Sequence, residues 1–442
     1  MDERSGRNIA NQLIEVESPQ ERAVLFSAPG PGTSRKEARD HLLELASLAD
    51  TAGAEVAATV QQYLRAPHPA FYIGTGKVEE LRSIVADSDA GLVIFDEDLS
   101  PMQGQKLEAQ LGVRVMDRTE LIIDIFALRA RTAEAKMQVE LAQLQYLLPR
   151  LKRMWSHLSR IRGGIGLRGP GETQLETDRR IIGRRIRELK RRLERVARQR
   201  DTQRRGRAGE FKVALVGYTN AGKSSILAGL SGSDLFIEDR LFATLDSATR
   251  SVDLGDGFQA LVTDTVGFIR KLPHHLVASF RATLEEVVQA DLLCHIVDAA
   301  HPGWEEQYDV VEEVLTELEA PARRLIAFNK VDRLTHDEEA AFRERAGALL
   351  GAHVFTSTIE KGGLDDLRDR LRRIMQERWP TVLLTIPASA GGVMAEIYRE
   401  GEVLASEHRG GCMQIKARLP SEVLGRLRGR EDVAVIEVPP AA

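Results

Sequence analysis

The stretch Gly217-Tyr218-Thr219-Asn220-Ala221-Gly222-Lys223-Ser224 follows the apolar run Val213 to Val216 and precedes the helical pattern Ser225-Ile-Leu-Ala-Gly-Leu230. A buried strand, a glycine-rich loop and a helix in that order form a cradle for phosphates, because backbone N–H groups of the loop and the helix N-terminus face anionic oxygens. Lys223 can reach terminal phosphates, and the Ser224 hydroxyl is a hard oxygen ligand suited to Mg²⁺. These residues, with Ser225 at the opening of the helix, are the first candidates for binding a nucleotide.

Three further motifs follow in order. Asp264-Thr265-Val266-Gly267 comes after the apolar run Ala260 to Thr263. There Asp264 can hold Mg²⁺ directly or through water, and the Gly267 N–H can meet a γ-phosphate. Asn329-Lys330-Val-Asp332 ends the apolar run Arg324 to Phe328, at the sheet edge where doubly wound folds place ligands. Guanine presents N1–H and N2–H₂ side by side, so the Asp332 carboxylate can accept both, whereas adenine has an acceptor at N1. The base expected is therefore guanine, and the ligands GTP and GDP. Val354-Phe-Thr-Ser357-Thr358 precedes Gly362-Gly363, where backbone N–H groups of Ser357 and Thr358 could reach guanine O6.

Between the phosphate loop and Asp264 lies Leu241-Phe-Ala-Thr244-Leu-Asp-Ser-Ala-Thr249-Arg250. A threonine here can bind Mg²⁺ only while a γ-phosphate orders the segment; Thr244 is the first choice and Thr249 the alternative. Lys223, Thr244 and Gly267 are the expected catalytic set, and Ser224, Thr244 and Asp264 the expected metal set. Position 268 is phenylalanine, where several GTPases carry a glutamine that orients the attacking water. Hydrolysis is expected to be slow alone, with a partner supplying part of the missing chemistry.

The elements that hold these residues read as an α/β multidomain chain. A tail of residues 1–21 precedes a small α/β domain at 22–129, in which Ala23 to Phe26, Val56 to Thr59 and Leu92 to Phe95 alternate with helices. Ser100-Pro101 gives a helix start, cap followed by proline. Residues 130–207 form a basic helical hairpin. One heptad seam runs Met137, Leu141, Leu144, Leu148, Leu151, Trp155, Leu158, and a second runs Leu175, Ile182, Ile186, Leu189, Leu193, Val196. Gly163 to Gly171 separates the two and reads as a non-helical reversal, and Pro149 should kink the first helix. Residues 208–378 make the nucleotide domain, a doubly wound sheet. A small α+β domain closes the chain at 379–442, with Val382 to Ile386, Met394 to Tyr398, Met413 to Ala417 and Val433 to Val438 as strands and a helix near Ser421 to Leu427.

A length of 442 residues exceeds one core, and the composition is that of a water-soluble chain. No apolar window has the length of a membrane span, and the N-terminus lacks an apolar stretch of signal-peptide length. A cytoplasmic monomer is expected, with peripheral membrane association left open. Cys294 and Cys412 lack ligand or disulfide spacing. The net charge of -5 hides an asymmetry: Arg150 to Arg207 carries +14, leaving -19 elsewhere, so one segment is suited to meet polyanions.

The chain resembles the HflX family of translational GTPases over about residues 70 to 335. The resemblance is carried by Tyr72-Ile-Gly74-Thr-Gly76-Lys77-Val-Glu-Glu80, Phe95-Asp96-Glu-Asp-Leu-Ser100-Pro101, Asp117-Arg118-Thr-Glu-Leu-Ile-Ile-Asp124-Ile-Phe126 and, above all, Arg168-Gly-Pro-Gly171-Glu172-Thr-Gln174-Leu-Glu176-Thr-Asp178-Arg179-Arg180. Phe242-Ala-Thr244-Leu-Asp and Asp264-Thr-Val-Gly-Phe268 look like its switch segments. The resemblance implies binding to the large ribosomal subunit and GTP-dependent dissociation of stalled or idle ribosomes, with a role under stress. It also implies an N-terminal domain and hairpin that reach ribosomal RNA, and a link of the N-terminal domain to ATP. Gly74-Thr-Gly-Lys77 is nonetheless read as a strand-to-helix turn, since Phe71 and Val78 replace residues a second phosphate loop would need. Ser247-Ala248 depart from the family's Pro-Thr, and Ser357-Thr358 from its Ser-Ala. The second departure puts an added hydroxyl beside guanine O6. A nucleotide-gated RNA-binding module is the alternative reading, in which Arg160, Arg162 and Arg168 at the hairpin tip meet RNA phosphates.

Overall fold

The computed structural model describes residues 20–154, 170–205, 210–233, 240–255, 258–273, 281–349, 351–430 and 432–438. The tip arginines Arg160, Arg162 and Arg168 lie outside these residues, as do Trp155 and Leu158 of the first seam. The chain divides into two compact units, residues 1–128 with 143–183, and residues 129–142 with 184–442.

The first unit holds a four-stranded parallel sheet of order β2-β1-β3-β4, from β1 (Arg22–Ser27), β2 (Glu55–Gln61), β3 (Leu92–Phe95) and β4 (Arg114–Asp117). β3 is buried along its whole length and β1 from Ala23 on, the state of central parallel strands covered on both faces. Helices α1 (Arg35–Thr51) and α3 (Pro101–Leu111) both start with capping boxes, Ser34 with Glu37 and Ser100 with Gln103, and Pro101 occupies the first turn of α3. α2 (Thr75–Asp87) begins at Gly74. What precedes it is an irregular turn, with Tyr72 at φ 65 and paired to His68, so the expected strand-to-helix turn lacks its strand.

The resemblance strings around Asp96 and Asp117 form a buried charge network. Arg118, which opens α4 (Arg118–Arg129), donates to Asp96 and Glu44. Asp117 accepts from Arg150 at 2.7 Å and from the Tyr146 hydroxyl at 3.0 Å. Burial pushes its carboxyl up to about 6 against the pull of Arg150.

α5 (Ala133–Met154) and α6 (Pro170–Arg205) are the two long helices. Glu140 on α5 pairs with Arg185 on α6, and Leu148 shares a hollow with Glu176, Thr177, Arg179 and Arg180. Residue numbers rise on one helix as they fall on the other, the antiparallel sense expected. Three details refine the sequence reading. α5 runs without interruption through Pro149. α6 already begins at Pro170, so Pro170 and Gly171 belong to its first turn, where proline's missing N–H has no helical role. Arg150 and Arg185 use their charge on Asp117 and Glu140, acids outside the segment 150–207, which lowers the charge offered to a polyanion, whereas Arg192 pairs with Glu188 inside it.

The second unit contains a six-stranded sheet of order β10-β9-β8-β5-β7-β6. Its strands are β5 (Phe211–Gly217), β6 (Ala248–Gly255), β7 (Phe258–Asp264), β8 (Leu292–Asp298), β9 (Arg323–Asn329) and β10 (His353–Phe355). All pairings are parallel except β6 with β7. Helices α7 (Lys223–Ser231), α8 (Arg281–Val288), α9 (Trp304–Glu317), α10 (His336–Leu349) and α11 (Asp365–Glu377) accompany it. One core gathers Leu215, Ile226, Leu227 and Val262 with Leu367 and Leu371; another sets Trp304 and Phe342 against Phe328.

A four-stranded antiparallel sheet of order β12-β13-β11-β14 follows, built from β11 (Thr381–Pro387), β12 (Glu402–Arg409), β13 (Cys412–Arg418) and β14 (Ala434–Glu437). Helices α12 (Gly391–Glu400) and α13 (Ser421–Arg428) complete it. Met394 to Tyr398, expected as a strand, lies inside α12. Val393 and Ile397 are buried four residues apart while Tyr398 is exposed, a helical period that outweighs the strand-like composition. No helix among the described residues is long and apolar enough to cross a membrane.

Candidate functional site

β5 is buried from Val213 to Gly217 and delivers its C-terminal end into the loop that opens α7. Two residues of that loop have positive φ, Asn220 at 60° and Gly222 at 94°. Gly222 is required there twice over: L side chains avoid its backbone conformation, and a Cβ would lie 2.2 Å from Asn329 Nδ2. The loop folds around Lys223, whose ammonium donates to the carbonyls of Gly217 (3.2 Å) and Tyr218 (2.9 Å). Lys223 is buried, and that burial lowers its pKa to about 8; Asp264 opposes the shift and Lys330 adds to it.

The end of β7 faces this loop. Ser224 Oγ donates to Asp264 Oδ2 at 2.6 Å, and Thr244 Oγ1 lies 2.7 Å from Ser224 Oγ and 3.0 Å from Asp264 Oδ2. The other Asp264 oxygen is buried with no hydrogen-bond partner, and burial raises the carboxyl against the pull of Lys223. Two hydroxyls and a desolvated carboxylate at mutual hydrogen-bond distance are a hard oxygen set, and an unpartnered carboxylate oxygen there fits Mg²⁺. The alternative Thr249 is in β6, where its hydroxyl lies 2.9 Å from that of Thr263 in the neighbouring strand. It takes no part in the cluster.

Gly267 has no room for a side chain: a Cβ would sit 2.7 Å from Thr219 Cα and 3.0 Å from Lys223 Nζ. Beyond it the backbone is tied to the phosphate loop, with Phe268 N donating to the Gly217 carbonyl (3.0 Å) and Thr219 N to the Phe268 carbonyl (2.7 Å). The Phe268 ring is buried, so no polar side chain at this position faces the cavity. Thr265 and Tyr218 brace the same junction: the Thr265 hydroxyl donates to Leu215 O, and Tyr218 OH accepts from Arg270 N. Val266 is buried between these anchors.

The base-side motif also carries a bracing role. Buried Asn329 donates to the Ala221 carbonyl at 2.9 Å and can accept from the Thr356 hydroxyl at 3.3 Å. Lys330, at φ 63, donates to Asn220 O (2.8 Å) and to Asp298 Oδ2 (2.7 Å). Asp332 accepts from Ser357 Oγ at 2.6 Å, while that oxygen accepts from the amides of Ile359 and Glu360. Ser357 thus orients the carboxylate, and the Thr358 side of the turn lines the cavity.

The cavity occupies about 280 Å³, and its lining includes Thr219, Lys223, Ser224, Thr244, Asn329 and Asp332. Ser225, Thr265, Gly267 and Lys330 also line it. Sequence reasoning missed Asp298, Arg240, Phe242, Arg333 and Ile359. Asp298 had a legible signal, an acid at the end of the apolar run Leu292 to Val297. Phe242 was singled out only as part of the switch-like string Phe242-Ala-Thr244-Leu-Asp; that its amide donates to Thr219 Oγ1 at 2.9 Å and its ring is buried is a long-range contact the string does not encode.

Comparison with known proteins agrees along the chain. Residues 39–127 match the model described as GTP-binding GTPase N-terminal, residues 129–207 GTP-binding GTPase Middle Region, and residues 212–330 50S ribosome-binding GTPase. The GTPase HflX of Magnetococcus marinus is 44% identical over 430 residues, covering 96% of this chain and 99% of the relative. That of Escherichia coli is 42% identical over 395 residues, covering 88% and 91%. A Sulfolobus solfataricus GTP-binding protein solved in complex with GDP superimposes with a TM-score of 0.44 and 24% identity, covering 81% of this chain and 99% of that one. On the sequence relationships, the chain belongs to the HflX family of GTPases.

Proposed function

We propose that this GTPase is a nucleotide-driven switch that binds the large ribosomal subunit through its RNA and promotes dissociation of stalled or idle ribosomes. The observation that carries the switch is the convergence of Ser224, Thr244 and Asp264 within 3.0 Å, since Thr244 belongs to a segment that a γ-phosphate can order or release. Residues 217–225 cradle the phosphates, and Lys223 moves its ammonium from loop carbonyls to phosphate oxygens. Asp332, Ser357 and Thr358 read guanine. Mg²⁺ held by Ser224, Thr244 and Asp264 would neutralise charge developing on the phosphates.

The Gly267 N–H donates to the terminal phosphate, while Phe268 supplies no group to orient water. Turnover alone is therefore slow, and the ribosome accelerates it by supplying the missing positioning or charge. The segment 150–207, at +14 in sequence and lower after Arg150 and Arg185 pair with Asp117 and Glu140 outside it, supports RNA as the partner surface. We divide the chain functionally at about residues 22, 130, 208 and 379.

Sedimentation of ribosomes with the protein and GDP or a non-hydrolysable GTP analogue tests the reading. Release of subunits with the analogue and not with GDP is expected; intact ribosomes in both would overturn dissociation as the function. Asp332→Asn should shift preference from guanine toward xanthine, whose C2 oxygen accepts from the new amide. Unchanged guanine preference in competition binding would move base reading elsewhere.

A further inference from the structure

We propose that Asp246 is a latch by which the nucleotide state of the switch segment is transmitted to the start of helix α5, a proposal that rests on GTP occupying the cavity described above. Asp246 Oδ2 accepts from the backbone amides of Arg131 (3.1 Å) and Thr132 (3.2 Å), and Oδ1 accepts from the Thr132 hydroxyl. Thr132 in turn caps α5, its Oγ1 accepting from Ala135 N at 3.1 Å. One carboxylate thus satisfies donors at the mouth of a 22-residue helix, where the helix dipole favours a negative charge.

Asp246 stands two residues after Thr244, and the intervening Leu245 is buried. Two extended residues span at most about 7 Å, so Thr244 and Asp246 are held on one short tether, and a displacement of Thr244 that uses up its reach pulls on the Asp246 contacts. The same segment is pinned upstream by Phe242 N on Thr219 Oγ1, and downstream by Ala248, which pairs with Asp264 in the β6–β7 ladder. Thr244 at the metal set and Asp246 on α5 coexist in one arrangement, so the two contacts favour each other. Thr244 release weakens the latch, and by linkage whatever draws the α5 N-terminus away lowers affinity for GTP relative to GDP.

Amide hydrogen exchange of the full chain with GDP and with a non-hydrolysable GTP analogue reads the latch directly. The Arg131 and Thr132 amides should exchange roughly five-fold or more slowly with the analogue, the lower end of ordinary coupling between sites. Asp246→Ala and Thr132→Ala should abolish that difference and reduce the analogue-to-GDP affinity ratio by a similar factor. Thr132→Ser, which keeps both the cap and the hydroxyl donor, should retain both. Equal exchange in the two nucleotide states of the parent, or a full analogue preference in Asp246→Ala that still binds GDP, would overturn the latch while leaving the nucleotide site intact. Failure of the parent to bind either nucleotide would overturn the GTP reading and the latch with it.

Discussion

Two glycine-lysine turns open helices in this chain, and they differ in nearly everything around them. At Gly222-Lys223 the lysine is buried and held by loop carbonyls, and a Cβ on the glycine would collide with Asn329. At Gly76-Lys77 the lysine makes an i,i+3 pair with Glu80 at 2.6 Å, and a Cβ on Gly74 or Gly76 meets nothing within 4 Å. Both sit at helix N-termini, so local backbone alone does not make a phosphate loop. What distinguishes the first is its enclosure by residues distant in sequence: Thr244, Asp264, Gly267, Asn329 and Lys330.

The widest separation of the two turns should come from removing each lysine. Lys223→Ala loses the mobile charge on the terminal phosphates. With charge-assisted hydrogen bonds worth about 1.5–3 kcal/mol each, two lost contacts weaken GTP binding by roughly 10² to 10⁴. Lys77→Ala should leave GTP affinity unchanged in the same titration. A comparable loss in Lys77→Ala would break the contrast.

Adding a methyl group to each glycine should separate them by sign. Gly222→Ala forces a left-handed backbone, about 1–2 kcal/mol, and displaces the Asn329 amide from Ala221 O, about 1 kcal/mol more. Gly76→Ala places alanine in an open helical turn and should stabilise its unit by up to about 1 kcal/mol with GTP binding intact. Chemical denaturation beside nucleotide titration checks both; a tolerated Gly222→Ala would mean that the loop relaxes around the methyl group.

The smallest effect is a pH dependence. In the free protein Lys223 titrates near 8, below its ordinary 10.5, so the folded state binds fewer protons than the unfolded state between these values. Nucleotide-free stability therefore gains a contribution as pH rises through that window. Phosphate oxyanions restore the charged form, so GTP binding takes up protons above pH 8 and weakens as pH rises, by at most about tenfold per unit. Calorimetry in buffers of differing ionisation heat should detect the uptake and find it absent in Lys223→Ala. Proton uptake persisting in that variant would assign the titration to another group.

The motif order, the doubly wound sheet and the α/β alternation at the N-terminal end were legible because each depends on short-range patterns: buried strands, glycine loops and capped helices. The C-terminal sheet was partly misread at Met394 to Tyr398, where five residues carry both strand-like composition and a four-residue apolar spacing. Only the packing of Val393 and Ile397 into a common core selects the helix.

The sequence by itself determined which chemistry was on offer: a lysine behind a glycine loop, an acid at a strand end, an acid suited to guanine, and a phenylalanine in place of a water-orienting glutamine. The tertiary structure decided which groups meet. Thr244 reaches Ser224 and Asp264 while Thr249 is held in a strand ladder, Asn329 supports the phosphate loop, and Asp246 accepts from the amide of Thr132, 114 residues earlier in the chain. Those choices depend on contacts between residues far apart in the chain, and a hydroxyl or carboxylate takes its role from the partners that folding brings within about 3 Å.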